Sequence, residues 1–188
     1  GHALLWPGLS NLPDDIDANQ NDTAYVLNRI YEHIDAVANY PGIAGELADW
    51  DVINETVTNT TLENSFRGQG DFKTGRELFQ RVFTKTREAN PDVKLYLNDY
   101  VTISTQSLPT NNSYQTLKRN LGEIVANAPI DGIGFQAHIG ATPNGIPSVL
   151  ATYDDFYDTY GLEAKVTEFD LPTSVPEEAA AKYLGDFM

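Results

Sequence analysis

DWDVINE, residues 49–55, decides how the chain is read. Trp50, Val52 and Ile53 are strand formers, yet the run stops on an adjacent amide and carboxylate, Asn54 and Glu55. Four other stretches are built alike: HALLWP (2–7), KLYLNDY (94–100), DGIGFQAH (131–138) and AKVTEFD (164–170). Each is a short apolar run that finishes on polar or reactive types, Trp6 with Pro7, Asp99 with Tyr100, Gln136 with His138, and Glu168 with Asp170.

Between these runs the apolar period changes from two to about 3.6 residues. Val26, Leu27, Ile30, Tyr31, Ile34 and Val37 form a helical stripe, with Asp22 placed to cap it. Leu78, Phe79, Val82 and Phe83 mark a second helix, and Leu117, Leu121, Ile124 and Val125 a third. Val149, Leu150, Tyr153, Phe156 and Tyr157 mark a fourth, with Ser148 as cap candidate and Gly161 as its stop. Ser174 and Glu177 have capping-box spacing around Pro176, so a last helix is expected to begin near residue 175. The order is βαβαβαβαβα. Strict alternation argues for a parallel sheet, because parallel neighbours need a crossover and a helix is the usual one.

An open doubly wound sheet and a closed (β/α)8 barrel share that order. A barrel collects the C-terminal ends of all its strands at one mouth, whereas an open sheet brings together only those near its switch point. Polar endings on all five runs favour the TIM barrel. The runs end at 7, 55, 100, 138 and 170, a spacing at which eight units would need roughly 300 residues. This chain of 188 residues holds five. The expectation is therefore an incomplete (β/α)8 barrel, a single partial domain over residues 1–188, with an unpaired parallel strand at each edge. The Asn/Thr-rich stretch after Glu55 (TVTNTTLENS) and STQSLPTNN at 104–112 read as elaborated βα loops, where barrels carry function.

Composition removes several function classes. The chain has 27 acidic against 12 basic residues, a formal charge of −15, which repels a phosphate backbone and argues against a nucleic-acid partner. With no apolar run of about 18 residues, no membrane span is expected. No signal peptide is legible, and a start at Gly1 fits a mature form or an internal piece. The absence of cysteine excludes disulfides, thiolate metal sites and a cysteine nucleophile. His2, His33 and His138 have neither HxH nor HExxH spacing, so no metal is expected. Gly132-x-Gly134-x-x-Ala137 fits a dinucleotide fingerprint only superficially, since the glycines lie inside a strand-like run and Gly140 and Pro143 follow in place of a helix. No cofactor is expected.

Glu55 and Glu168 end two different strands. A glutamate leaving a strand is ordinarily solvated or salt-bridged. Two carboxyl groups facing one barrel mouth can instead divide acid and nucleophile roles, and their separation distinguishes retaining from inverting glycoside hydrolysis.

The run WDVINE, with NDY, DGIGFQAH and TEFD in the same order and a leading GHALLW, resembles the catalytic barrel of glycoside hydrolase family 10, the endo-β-1,4-xylanases. The likeness runs through all five strand motifs, taken as strands 3 to 7 of that barrel. It implies double displacement on xylan, with Glu55 as general acid/base and Glu168 as nucleophile. It places Asn54 on the 2-hydroxyl of the sugar under attack, Gln136 and His138 beside the nucleophile, and Asp170 behind His138. It also implies sugar contacts from His2 and Trp6, and an aglycone-side contact from Tyr100. For Trp6 the ordinary reading is core packing, and for His138 a hydrogen-bonded interior histidine. Xylan or a related β-1,4-linked polysaccharide is the implied partner, a monomer the implied full-length form, and secretion or periplasmic residence the implied location.

Two departures qualify the resemblance. Pro7 stands where the family usually has histidine, removing one polar contact from the catalytic subsite and leaving the type of xylan open. Sugar-binding residues of the first two strands and the aromatic cluster of the eighth fall outside the chain, which alone is expected to be inactive. Asn21, Asn54, Asn59 and Asn111 all begin N-x-S/T, and a glycan on Asn54 would block the implied site, which argues for a host that leaves the protein unglycosylated. The alternatives are a same-clan retaining β-glycosidase of other specificity, a noncatalytic carbohydrate-binding barrel, and an open α/β protein without sugar chemistry.

Overall fold

The computed structural model describes residues 1–100, 103 and 112–188. The expected loop at 104–112, except Asn112, and the sequon residue Asn111 lie outside the described residues. In chain order the elements are β1 (His2–Leu5), a 3-10 turn (Leu9–Asn11), α1 (Asp14–Ala18), α2 (Thr23–Ala38), β2 (Asp49–Asn54), α3 (Thr61–Phe66) and α4 (Glu77–Ala89). They continue with β3 (Lys94–Asp99), α5 (Asn112–Val125), β4 (Gly132–Phe135), α6 (Ile146–Tyr160), β5 (Glu163–Val166) and α7 (Glu177–Phe187). Every β-like run of the sequence is a strand.

The helix starts follow the sequence less closely. Asp22 caps α2 as expected, its side chain accepting from the Tyr25 N–H at 3.0 Å, and Val26, Ile30, Ile34 and Ala38 are the stripe that α2 buries. Ser148 does not cap α6. Gly145 holds that position and Pro147 sits in the first turn, where its missing N–H costs no hydrogen bond. Gly161 ends α6 in the left-handed region at φ 68°, as expected. The Ser174/Glu177 capping box does not form: α7 begins at Glu177 behind Pro176, with no side-chain cap. The stretch after Glu55, expected as loop, contains α3.

The five strands form one sheet in the order β1-β2-β3-β4-β5, every pair parallel. Sequential order without reversal puts the right-handed crossovers on one side, so the sheet has no switch point. Neighbouring helices meet in chain order, α2 with α4, α4 with α5 and α5 with α6. That is a section of a barrel wall rather than a doubly wound sheet. Leu95, Leu97, Ile133 and Phe135 are fully buried, and Phe135 meets Phe156 of α6 edge-on at 5.4 Å.

The opposite face is polar and is kept open by glycine. A Cβ on Gly132 would come within 2.2 Å of the Tyr96 ring, and one on Gly134 within 2.4 Å of Asn98 Oδ1. Tyr96, Asn98, Gly132 and Gly134 therefore share the inner face. Asp51 and Asn54 also reach inward although an odd spacing sends regular strand residues to opposite faces. The register shift between Asp51 and Ile53 in the β2–β3 pairing reconciles them. Lys165 of β5 lies 3.0 Å from Asp49 and 3.3 Å from Asp51 and stands 3.9 Å over the Tyr96 ring, tying the lower inner face across strands.

Candidate active site

Above that layer, the C-terminal ends of the strands carry a connected set of amides between two carboxyl groups. Asn54 Oδ1 is its hub, accepting from Asn98 Nδ2 at 3.0 Å and from Gln136 Nε2 at 3.2 Å. The same Asn98 nitrogen donates to Glu168 Oε1 at 2.8 Å, and the same Gln136 nitrogen donates to Glu55 Oε1 at 3.1 Å. Thr167 Oγ1 donates to Asn98 Oδ1 at 2.8 Å, satisfying the end of that amide turned away from Glu168. Asn54, Asn98 and Gln136 are buried, so each has a definite partner where an unpaired amide would be costly. Two donors on Asn54 Oδ1 leave its Nδ2, 3.5 Å from Glu55 Oε1, as the amide group without a short partner.

Glu55 leaves β2 in the left-handed region, φ 59°, which is uncommon for a side chain of this size. Its N–H donates to Asn98 O at 2.8 Å and its carbonyl accepts from Asn59 N at 3.1 Å, so backbone bonds on both sides hold the turn. Beneath it Asp99 accepts from Val57 N at 3.2 Å, Thr56 Oγ1 at 3.4 Å and Tyr100 N at 2.9 Å, fastening this loop to the end of β3. Burial pushes the Asp99 carboxyl up to about 7; the backbone donors Tyr100 and Val57 oppose the shift, and the nearby Glu55 charge adds to it.

Glu168 is furnished differently. His138 Nε2 lies 3.3 Å from its Oε2, while His138 Nδ1 lies 3.1 Å from Asp170 Oδ2. The β4–β5 ladder runs on past the strands to make this possible: Glu168 N donates to Gln136 O, and Ile139 N to Asp170 O, both at 3.0 Å. Ala137, between them, is left-handed at φ 63°. On the other side His2 Nε2 stands 3.9 Å from Glu168 Oε1, and His2 Nδ1 lies 3.1 Å from the buried Asp51.

The structure thus brings together Glu55, Glu168, Asn54, Gln136, His138, Asp170 and His2. Tyr100 is half-buried at the end of β3, its N–H on Asp99. Trp6 stays apart. It lines a cavity of about 510 Å3 with Leu12, Pro13, Ile16 and Ile30, and its buried indole nitrogen has no hydrogen-bond partner among the described residues. His33 Nε2 lies 3.2 Å from Leu4 O, on the β1–α2 side. Sequence reasoning passed over Asn98, Asn59, Thr167, Asp51 and Asp99 as site residues. Asn98 was signalled by parity with Tyr96 inside the apolar run KLYLNDY. Asn59 was marked only as a sequon in the loop after Glu55, with nothing to tie it to the carboxyl. Among the described residues no group of three or more His, Asp or Glu is placed to hold a metal ion.

Residues 1–185 match the sequence profile of Glycosyl hydrolase family 10. An endo-1,4-beta-xylanase of Agaricus bisporus is 30% identical over 181 residues, a match that covers 94% of this chain and 49% of the fungal protein. Xylanase 10B of Thermotoga petrophila, solved in complex with xylobiose, superposes with a TM-score of 0.73 at 29% identity, covering 100% of this chain and 54% of that one. Native xylanase 10B of Thermotoga maritima gives 0.72 at 30% identity, over 97% and 53%. The chain spans about half the length of these proteins.

Proposed function

This chain belongs to glycosyl hydrolase family 10, and we propose that it is the central part of a retaining endo-β-1,4-xylanase whose chemistry is carried by Glu55 and Glu168. The observation that supports this reading above all is the amide chain Gln136–Asn54–Asn98, which links one carboxyl group to the other at the mouth of the sheet.

A Glu168 oxygen attacks the anomeric carbon as the bond to the leaving sugar breaks, and the Glu55 proton goes to the leaving oxygen. Water then gives its proton to Glu55 and its oxygen to the anomeric carbon, which releases Glu168. Asn98 and His138 hold the attacking carboxylate from two sides. Asn54, its oxygen already saturated, offers Nδ2 to the sugar 2-hydroxyl, a contact that strengthens as positive charge develops. His2, Trp6 and Tyr100 are the remaining sugar contacts of the proposal. Residues 1–188 form a partial catalytic domain that does not turn over substrate alone; the whole protein is a monomer acting on xylan outside the cytoplasm. No helix among the described residues is long and apolar enough to cross a membrane.

The test is hydrolysis by the full-length protein. Glu168→Ala abolishes xylan cleavage, while Glu55→Ala loses far more on xylan than on aryl xylosides whose leaving group needs no proton. Equal, small losses on both substrates would sink the assignment.

A further inference from the structure

Three loops meet over Glu55, and one of them brings a group that neither the sequence motif nor the mechanism above employs. Asn59 Nδ2 donates to Glu55 Oε2 at 3.0 Å, while Gln136 Nε2 donates to Oε1 at 3.1 Å. The carboxyl is gripped at both oxygens by neutral amides, one from β4 and one from its own loop. The seat of Asn59 is made by Gly8. A Cβ added at Gly8 would lie 2.2 Å from Asn59 Oδ1 and 3.0 Å from its Cγ, so the amide fits only because residue 8 has no side chain. Pro7 beside it accepts from Leu62 N at 3.3 Å, fixing the two loops against each other. The Pro7-Gly8 pair thus departs from the family's usual residue at 7 and gives Asn59 its room.

We propose that Asn59 is a positioning residue for the Glu55 carboxyl, seated by Gly8, and that it fixes the plane in which Glu55 delivers its proton to the leaving oxygen. The proposal rests on Glu55 being the acid/base. A carboxyl held at Oε1 only, by Gln136 and at 3.5 Å by Asn54, turns about its last torsion, a soft rotation, and misdirects the proton. Loss of alignment costs a fraction of the roughly 10²–10⁴-fold that general acid catalysis supplies, about tenfold in kcat/KM on xylan. With activated leaving groups the glycosylation step, which kcat/KM reports, does not feel it, because their departure needs no proton; the later attack of water still uses Glu55.

The variants separate donation from loop structure. Asn59→Asp keeps the shape and the turn chemistry of asparagine but has no amide to donate, and Gly8→Ala displaces the tip of Asn59 without touching Glu55. In the full-length protein, Asn59→Ala, Asn59→Asp and Gly8→Ala each lower kcat/KM on xylan about tenfold and leave kcat/KM on activated aryl xylosides within about twofold. Adding Gly8→Ala to Asn59→Ala brings no further loss, since the 2.2 and 3.0 Å contacts go with the amide and only the 3.3 Å contact with the residue 59 Cβ remains. Wild-type kcat/KM on xylan in Asn59→Asp, equal losses in kcat/KM on both substrates, or additive losses in the double variant would overturn the proposal while the enzymatic reading stands. A wild-type protein that leaves xylan uncut overturns both.

Discussion

The two carboxyl groups of the site sit at the ends of β2 and β5 and are surrounded by different chemistry. Glu55 is met by the amides of Gln136, Asn59 and, at longer range, Asn54. Glu168 is met by the Asn98 amide and by two imidazoles, each backed by a carboxylate: His138 on Asp170, and His2, more distantly, on Asp51. Amides keep the same charge at every pH, so the groups that hydrogen-bond Glu55 orient it by donation alone. A carboxylate behind an imidazole instead fixes the ring's orientation, so that its other nitrogen is aimed at the Glu168 oxygens. The asymmetry of partners matches the asymmetry of roles that double displacement requires.

The sharpest way to break this comparison is to vacate one side at a time and let an external anion choose its face. In Glu168→Ala of the full-length protein, hydrolysis falls by on the order of 10⁴-fold or more. Azide then attacks from the side Glu168 occupied, and NMR of the product shows an α-xylosyl azide. In Glu55→Ala, azide attacks the glycosyl-enzyme and the product is the β-azide. Exchanged configurations would reverse the two roles.

A smaller effect separates the two histidines. Asp170→Asn takes the charged acceptor from His138 and lowers kcat by about 10- to 100-fold. Asp51→Asn, acting through an imidazole 3.9 Å from Glu168, costs less in kcat and falls more on KM. Steady-state kinetics of both variants, with equal losses in kcat, would remove the distinction between a near and a distant imidazole.

The smallest effect on turnover is expected under Glu55, where the change is in stability. Asp99 binds its proton up to about pH 7 in the folded state against an ordinary value of 3.8. The folded chain therefore holds a proton that the unfolded chain releases across that window, and stability falls as pH rises from about 4 to about 7, by up to about 4 kcal/mol. Below the window both states are protonated and the penalty is absent. Asp99→Asn flattens this dependence and weakens the protein at low pH by losing an acceptor for Val57 or Tyr100. Denaturant unfolding at several pH values checks both, and an unchanged slope between pH 4 and 7 would remove Asp99 as the cause.

The strands were legible because period-two runs ending on polar residues have few other readings. α1 and α3 were not, since helices of five and six residues are too short to show an apolar stripe. The paired glutamates were legible through motif resemblance. Asn98, which holds Glu168, hid as a polar residue in an apolar run, its alignment depending on a register shift in β2 that only the neighbouring strand reveals. The tie of Asn59 to Glu55 was invisible, because its place is set by a glycine 51 positions earlier in the chain.

Gly134 bears no functional group, yet a methyl there would sit 2.4 Å from Asn98 Oδ1 and 2.9 Å from Thr167 Cγ2. The only relief is to move the amide that holds Glu168. In a saturation screen scored by activity, this glycine will rank with the acids and amides of the mouth. A chart of mutational sensitivity will therefore show a chemical site larger than the set of side chains that do chemistry, its margin drawn by an atom that is missing.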